Sequence, residues 1–115
     1  MIKEAIQKFR KGGSASLGII LKTNILAGAL YNELGGACEA NLLTPKSSVF
    51  RNGVTITSVQ MSKGLEFDEV LIPQADDRTY SSRYDRSLLY IACTRAMHRL
   101  TLTYTGRITP LAVRK

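Results

Sequence analysis

Leu17-Gly18-Ile19-Ile20-Leu21-Lys22-Thr23-Asn24, continued by Ile25, Leu26, Ala29, Leu30 and Leu34 and closed by Gly35-Gly36, is the stretch that decides the fold class. Its first five residues form a short, continuously apolar run, the pattern of a strand buried on both faces, which occurs mostly in parallel sheets. Asn24 reads as the N-cap of a helix that the glycine pair ends. Strand, turn and helix in that order make half of a βαβ unit. Upstream, Ile2, Ala5, Ile6 and Phe9 recur at helical spacing until Gly12-Gly13, so residues 1–13 read as a helix or a linker from a preceding region.

Downstream, 37–44 is a further strand candidate and 45–53 a polar connection. Val54 to Val59 alternates β-branched apolar and polar residues and predicts a strand ending just before Lys63-Gly64. Val70 to Pro73 predicts the next strand, residues 74–83 a loop, and Ser82 with Asp85 a capping box for a helix over 84–97. Leu100 to Tyr104 is the last β-rich run. Strands interleaved with helices predict an α/β fold with a mostly parallel sheet. With 115 residues, the chain has room for one core and reads as a single domain over 1–115.

Composition narrows the function classes. No apolar run approaches the roughly 20 residues of a membrane span, and the basic start lacks the apolar centre of a signal peptide. Two cysteines, Cys38 and Cys93, show no pairing pattern and read as packing residues, which suggests a reducing cytoplasm. The formal charge of +7 is uneven. Lys3, Lys8, Arg10 and Lys11 crowd the start, and Arg95, Arg99, Arg107, Arg114 and Lys115 close the chain. Glu66, Asp68, Glu69, Asp76, Asp77 and Asp85 lie between. Such polarity suits a polyanion held on one face, or an ordinary solvated surface.

Two blocks carry chemistry: Ser62-Lys63-Gly64-Leu65-Glu66-Phe67-Asp68, then Ser87 to Ala96 with Thr94-Arg95 near its end. On an ideal helix, Leu88, Leu89, Ile91, Ala92, Cys93 and Ala96 share a broad face, and Arg95 falls inside it. A guanidinium there needs a partner. Either the helix ends first, or a local carboxylate pairs with it, or it points into a cleft that an anion fills. Lys63-Gly64 at a strand end suits a phosphate, or is a turn with a solvated lysine. Glu66 suits a sugar hydroxyl. Lys22 would emerge at the same sheet edge as Lys63 if the strands are parallel, or is an exposed charge. His98, the only histidine, has no second ligand in view and reads as a surface or capping residue. No Gly-rich phosphate loop ending in Lys-Ser/Thr is present, so the chain is suited to complete a nucleotide site it does not own.

These blocks resemble the UvrD/Rep-like superfamily-one DNA helicases, specifically their second RecA-like motor domain. Leu17–Asn24 is similar to motif IV, Val54–Pro73 to motif V and Ser87–Ala96 to motif VI; the run from Leu88 to Leu100 looks most like the helicase IV/HelD-type branch, some of whose members associate with RNA polymerase. The resemblance implies a RecA-like (P-loop NTPase-type) sheet without its own P-loop. It implies that Arg95 is an arginine finger for ATP held with Mg²⁺ by a separate N-terminal motor domain. Lys22, Gly64, Glu66 and Thr94 would contribute to the nucleotide, and Ser58, Gln60 and Lys63 would face single-stranded DNA or a duplex junction. Lys22 stands where relatives carry an arginine, Leu21 where they carry an aromatic, and Gln60 where histidine is frequent. About thirty residues between motifs IV and V leave no room for the large inserted subdomain of UvrD and Rep. By itself such a half would not hydrolyse ATP. The alternative implied is a nucleotide-switched module that docks RNA polymerase through residues 76–86 and the basic tail.

Overall fold

The structure, a computed structural model, describes residues 2–34, 41–42, 53–62, 65–73 and 79–103. Chain order is α1 (Ile2–Gly12), β1 (Ser16–Leu21), α2 (Asn24–Leu34), β2 (Asn41–Leu42), β3 (Gly53–Ser58), β4 (Phe67–Ile72), α3 (Arg83–Cys93) and β5 (Ala96–Leu102). The strands form a five-stranded sheet in the order β2-β3-β1-β4-β5, and every pairing is parallel. The α/β, mostly parallel architecture therefore holds, and β1 sits at its centre with all six residues buried.

Alternation along β1 divides the core. Leu17, Ile19 and Leu21 pack on one face with Ile6 and Phe9 of α1 and Ala27, Leu30 and Leu34 of α2. Ile20 faces the other side with Phe67, Val70, Ile72 and Tyr80, beneath Leu89 and Ala92 of α3. Period-2 strands and period-3.6 helices thus bury matching stripes in two layers. Gly18 is required by this packing: a Cβ there would lie 2.5 Å from Cδ2 of the fully buried Phe67 ring. Gly13, with φ of 87°, turns the chain from α1 into β1.

Several boundaries differ from the sequence expectation. Thr23, not Asn24, caps α2: its Oγ1 accepts from Leu26 N at 3.2 Å, and Asn24 is the first helical residue. β4 begins at Phe67 rather than Val70 because its acidic start is used by the turn after α1. Asp68 Oδ2 accepts from Ala15 N at 2.7 Å, Glu69 Oε2 from Ser14 Oγ at 2.7 Å, and Ser16 Oγ from Asp68 N at 3.0 Å. The last helix stops at Cys93 instead of running to 97, and β5 starts at Ala96 instead of Leu100. There the Arg95 carbonyl accepts from Phe67 N at 2.8 Å, so the sheet takes the next carbonyl and the helical periodicity of Ala96 and Met97 is overridden. Of the strand expected over 37–44, the described part is Asn41–Leu42; the connection at 45–52 lies outside the described residues.

Candidate functional site

Parallel strands give the sheet two chemically different ends, and α3 runs from one to the other. Its 11 residues span about 16 Å at 1.5 Å per residue. Helices α2 and α3 leave β1 and β4 on opposite faces, so the carboxyl ends of these neighbouring strands flank the topological switch point, the usual ligand crevice of an open parallel sheet.

At that crevice stands Lys22. Its Nζ lies 2.8 Å from Asp85 Oδ1 and donates to the Thr79 carbonyl at 2.7 Å, 6.0 Å from the centroid of the buried Tyr80 ring. Asp85 is 5% exposed. The expected capping box is present, with Ser82 Oγ accepting from Asp85 N and Asp85 Oδ2 from Ser82 N, each at 3.1 Å; Ser81 N adds a third bond at 2.9 Å. Burial raises the Asp85 pKa, but the hydrogen bonds from Lys22, Ser81 and Ser82 and the ammonium charge outweigh it, holding the carboxyl well below the usual carboxylate range. The anion place at the start of α3 is therefore occupied by the chain's own carboxylate. Sequence reading saw Asp85 as a cap and missed it as the counter-ion of Lys22.

Ser58 ends β3 at the same edge. Its hydroxyl donates to Asn24 Oδ1 and accepts from Met61 N at 3.2 Å. Gln60 follows, exposed in the turn that leaves the strand. The turn is fastened by Val59 N to the Leu21 carbonyl at 2.9 Å and by Ser62 Oγ to the Val59 carbonyl at 2.8 Å. Lys63 and Gly64 lie outside the described residues.

Arg95 stands at the other end of α3. Thr94 is the C-cap, so of the three ways to accommodate the guanidinium the first holds: the helix ends before it. Nε donates to the Ile91 carbonyl at 3.2 Å, Nη1 to the Leu65 carbonyl at 3.4 Å and Nη2 to Thr94 Oγ1 at 3.1 Å. All three acceptors are neutral, and among the described residues no carboxylate pairs with Arg95. Among the described residues, two of its five N–H groups remain uncommitted. The half-buried cation sits on the last carbonyls of α3, where the helix dipole favours positive charge. Glu66, exposed, follows Leu65 on the adjoining segment.

The structure thus brings Arg95, Thr94 and Glu66 together at the amino end of the sheet, and Lys22, Ser58 and Gln60 together at the carboxyl end. Lys22, expected to share a nucleotide with Arg95, stands at the other end of α3 and pairs with Asp85. His98 is exposed on β5, and no group of potential metal ligands occurs among the described residues. Cys93 is half-buried and free, its thiol pKa raised by burial. No described helix is long and apolar enough to cross a membrane.

With the loop before β4, β4, α3 and β5 assembled around the arginine, comparison with known proteins becomes informative. Residues 53–103 match the UvrD-like helicase C-terminal domain family. This UvrD-like segment contains Ser58, Gln60, Glu66, Thr94 and Arg95. The whole fold is similar to the crystal structure of the C-terminal domain of a possible DNA helicase from Lactobacillus plantarum WCFS1, at TM-score 0.85 and 29% identity, covering 98% of this chain and 70% of that one. It is also similar in fold to arterivirus nonstructural protein 10, a helicase solved with DNA, at TM-score 0.51 and 20% identity, covering 97% of this chain and 29% of that one. No curated protein sequence matches the chain. What these likenesses support is a C-terminal domain of a DNA helicase-like protein; they do not distinguish the helicase IV/HelD-type branch.

Proposed function

We infer that this chain is the second motor half of an ATP-dependent DNA helicase or translocase, and that Arg95 is its arginine finger. The observation that carries this is a guanidinium seated on neutral oxygens at a domain end, with N–H groups to spare and no counter-ion among the described residues. Such an arrangement holds a full charge in a defined direction and leaves it available to a phosphate. Thr94 supports it through one hydrogen bond; in this reading Glu66 would meet a sugar hydroxyl and Gly64 would contribute to the nucleotide. Ser58, Gln60 and Lys63 would face the DNA strand from the opposite end of the sheet. Among the described residues the donor set suits the outer phosphate of ATP and not the rest of the nucleotide, so ATP and Mg²⁺ would be held mainly by an N-terminal motor domain of the parent polypeptide.

Bound to such a triphosphate, Arg95 stabilises charge on the transferring phosphoryl group. α3 ties that event to the strand-facing end, because Asp85 in its first turn is fixed to Lys22 at the end of β1. Closure of the two halves would therefore move the DNA-facing edge as one body with the arginine.

The test is reconstitution with the N-terminal half. DNA-stimulated ATP hydrolysis should fall by about 10³- to 10⁵-fold in Arg95→Ala, and nearly as far in Arg95→Lys, which loses the fork. Hydrolysis that ignores both substitutions refutes the assignment. ATP turnover indifferent to DNA, with RNA polymerase bound, replaces the motor with a docking module.

A further inference from the structure

Helix α3 turns Asp85, Leu89 and Ala92 into the core. At 3.6 residues per turn its opposite side carries Arg83, Arg86 and Tyr90 in a single stripe, spaced by three and four residues. All three are exposed. Tyr90 is 70% accessible, and Tyr84 on the flank is 71% accessible. Neither arginine pairs with a carboxylate among the described residues. The one acidic residue of the helix, Asp85, points inward to Lys22.

With no counter-ion among the described residues, the two guanidiniums on one stripe repel each other, and an open tyrosine ring leaves apolar surface in water, so the face suits a partner that supplies both complements. Arginines alone would suit any polyanion. Interleaved with an exposed ring they suit an unpaired strand: guanidinium groups meet phosphates and the ring stacks on a base, which a duplex or an acidic polypeptide does not offer. We propose that the outward stripe of α3 (Arg83, Arg86 and Tyr90, with Tyr84 at its flank) binds single-stranded DNA. The choice of DNA rests on the motor assignment, whereas the location does not: Ser58 and Gln60 lie at the end of β3, away from this face.

The test uses this chain alone, without nucleotide, so its failure leaves Arg95 untouched. Binding of a fluorescein-labelled oligothymidylate is followed by anisotropy, and stacking by quenching of tyrosine emission, which no tryptophan obscures. The double variant Arg83→Ala/Arg86→Ala should bind about tenfold or more weakly and lower the slope of log affinity against log salt by about 1.4, two phosphates at roughly 0.7 each. Tyr90→Ala should weaken binding about five- to 150-fold, the span expected for one stacked base, whereas Tyr90→Phe retains it. An abasic strand of equal length should not distinguish Tyr90 from alanine. Unchanged affinity in the arginine pair, or full affinity in Tyr90→Ala, overturns the proposal. So does equally effective competition by polyglutamate, which would make the face an acidic-polypeptide dock.

Discussion

Replacing Lys22 with methionine removes the ammonium and keeps a stem that still packs near Tyr80. The Asp85 carboxylate, 5% exposed, would keep Ser81 N at 2.9 Å and Ser82 N at 3.1 Å and lose its 2.8 Å ion pair, and the Thr79 carbonyl would lose its 2.7 Å donor. Stripping one partner from a fully buried pair costs about 3–5 kcal/mol, and an exposed pair contributes about 1 kcal/mol or less. This pair lies between the two, since the Lys22 side chain is 24% exposed and two backbone donors stay on the carboxylate. The expected loss is about 2 kcal/mol, or roughly 10 °C in Tm for a domain of this size. The pH dependence has a definite sign. Because the folded carboxyl titrates below its ordinary value, its contribution is complete above about pH 4 and is lost as pH falls through the folded value. Thermal melts followed by circular dichroism from pH 7 to pH 2 should show wild type and Lys22→Met converging on acidification. Asp85→Asn should show a shallower acid limb than wild type. A Tm change under about 3 °C in Lys22→Met at pH 7, or an unaltered acid limb in Asp85→Asn, would refute the claim that this pair holds α3 to the sheet.

Gly18→Ala forces a Cβ to within 2.5 Å of the buried Phe67 ring. Urea unfolding should register a loss of about 1–3 kcal/mol, and a neutral result would mean that β1 and β4 shift apart freely. Ser82→Ala removes the Oγ that accepts from Asp85 N and should cost about 1 kcal/mol in the same assay. Burial raises the Cys93 thiol pKa, so peptide mapping after iodoacetamide at pH 7 should find it modified slowly in the folded chain and rapidly in urea; equal rates would contradict its packing.

Much of the architecture is legible without coordinates because it is local. The apolar run at Leu17–Leu21, the stop at Gly12-Gly13 and the Ser82/Asp85 box each act within a few residues, and each is found in place. The cap of α2 moves by one residue for a local reason, but the boundaries at the start of β4 and the end of α3 share one cause, capture of a backbone or carboxylate group by a distant element. The Arg95 carbonyl is taken by Phe67 N, which ends α3 early. Asp68 and Glu69 are taken by the turn after α1, which carries β4 back to Phe67, ahead of the Val70 start that the apolar run predicts. The site divides likewise. Arg95 announces itself as a cation on an apolar helical stripe, but its seat on the Ile91 and Leu65 carbonyls requires a second segment.

By itself, then, the order of residues determined the α/β class, the run of strands and helices, and the helicase-like segment around Arg95, because periodicity, capping and turn chemistry operate over short spans. Only the tertiary structure decided which cations are spent and which are free. Parallel strands place every carboxyl end at one edge of the sheet and every amino end at the other, so Lys22, just after β1, meets Asp85 at one edge while Arg95, just before β5, emerges at the other, and a charge is committed by whichever neighbour the crossovers bring beside it.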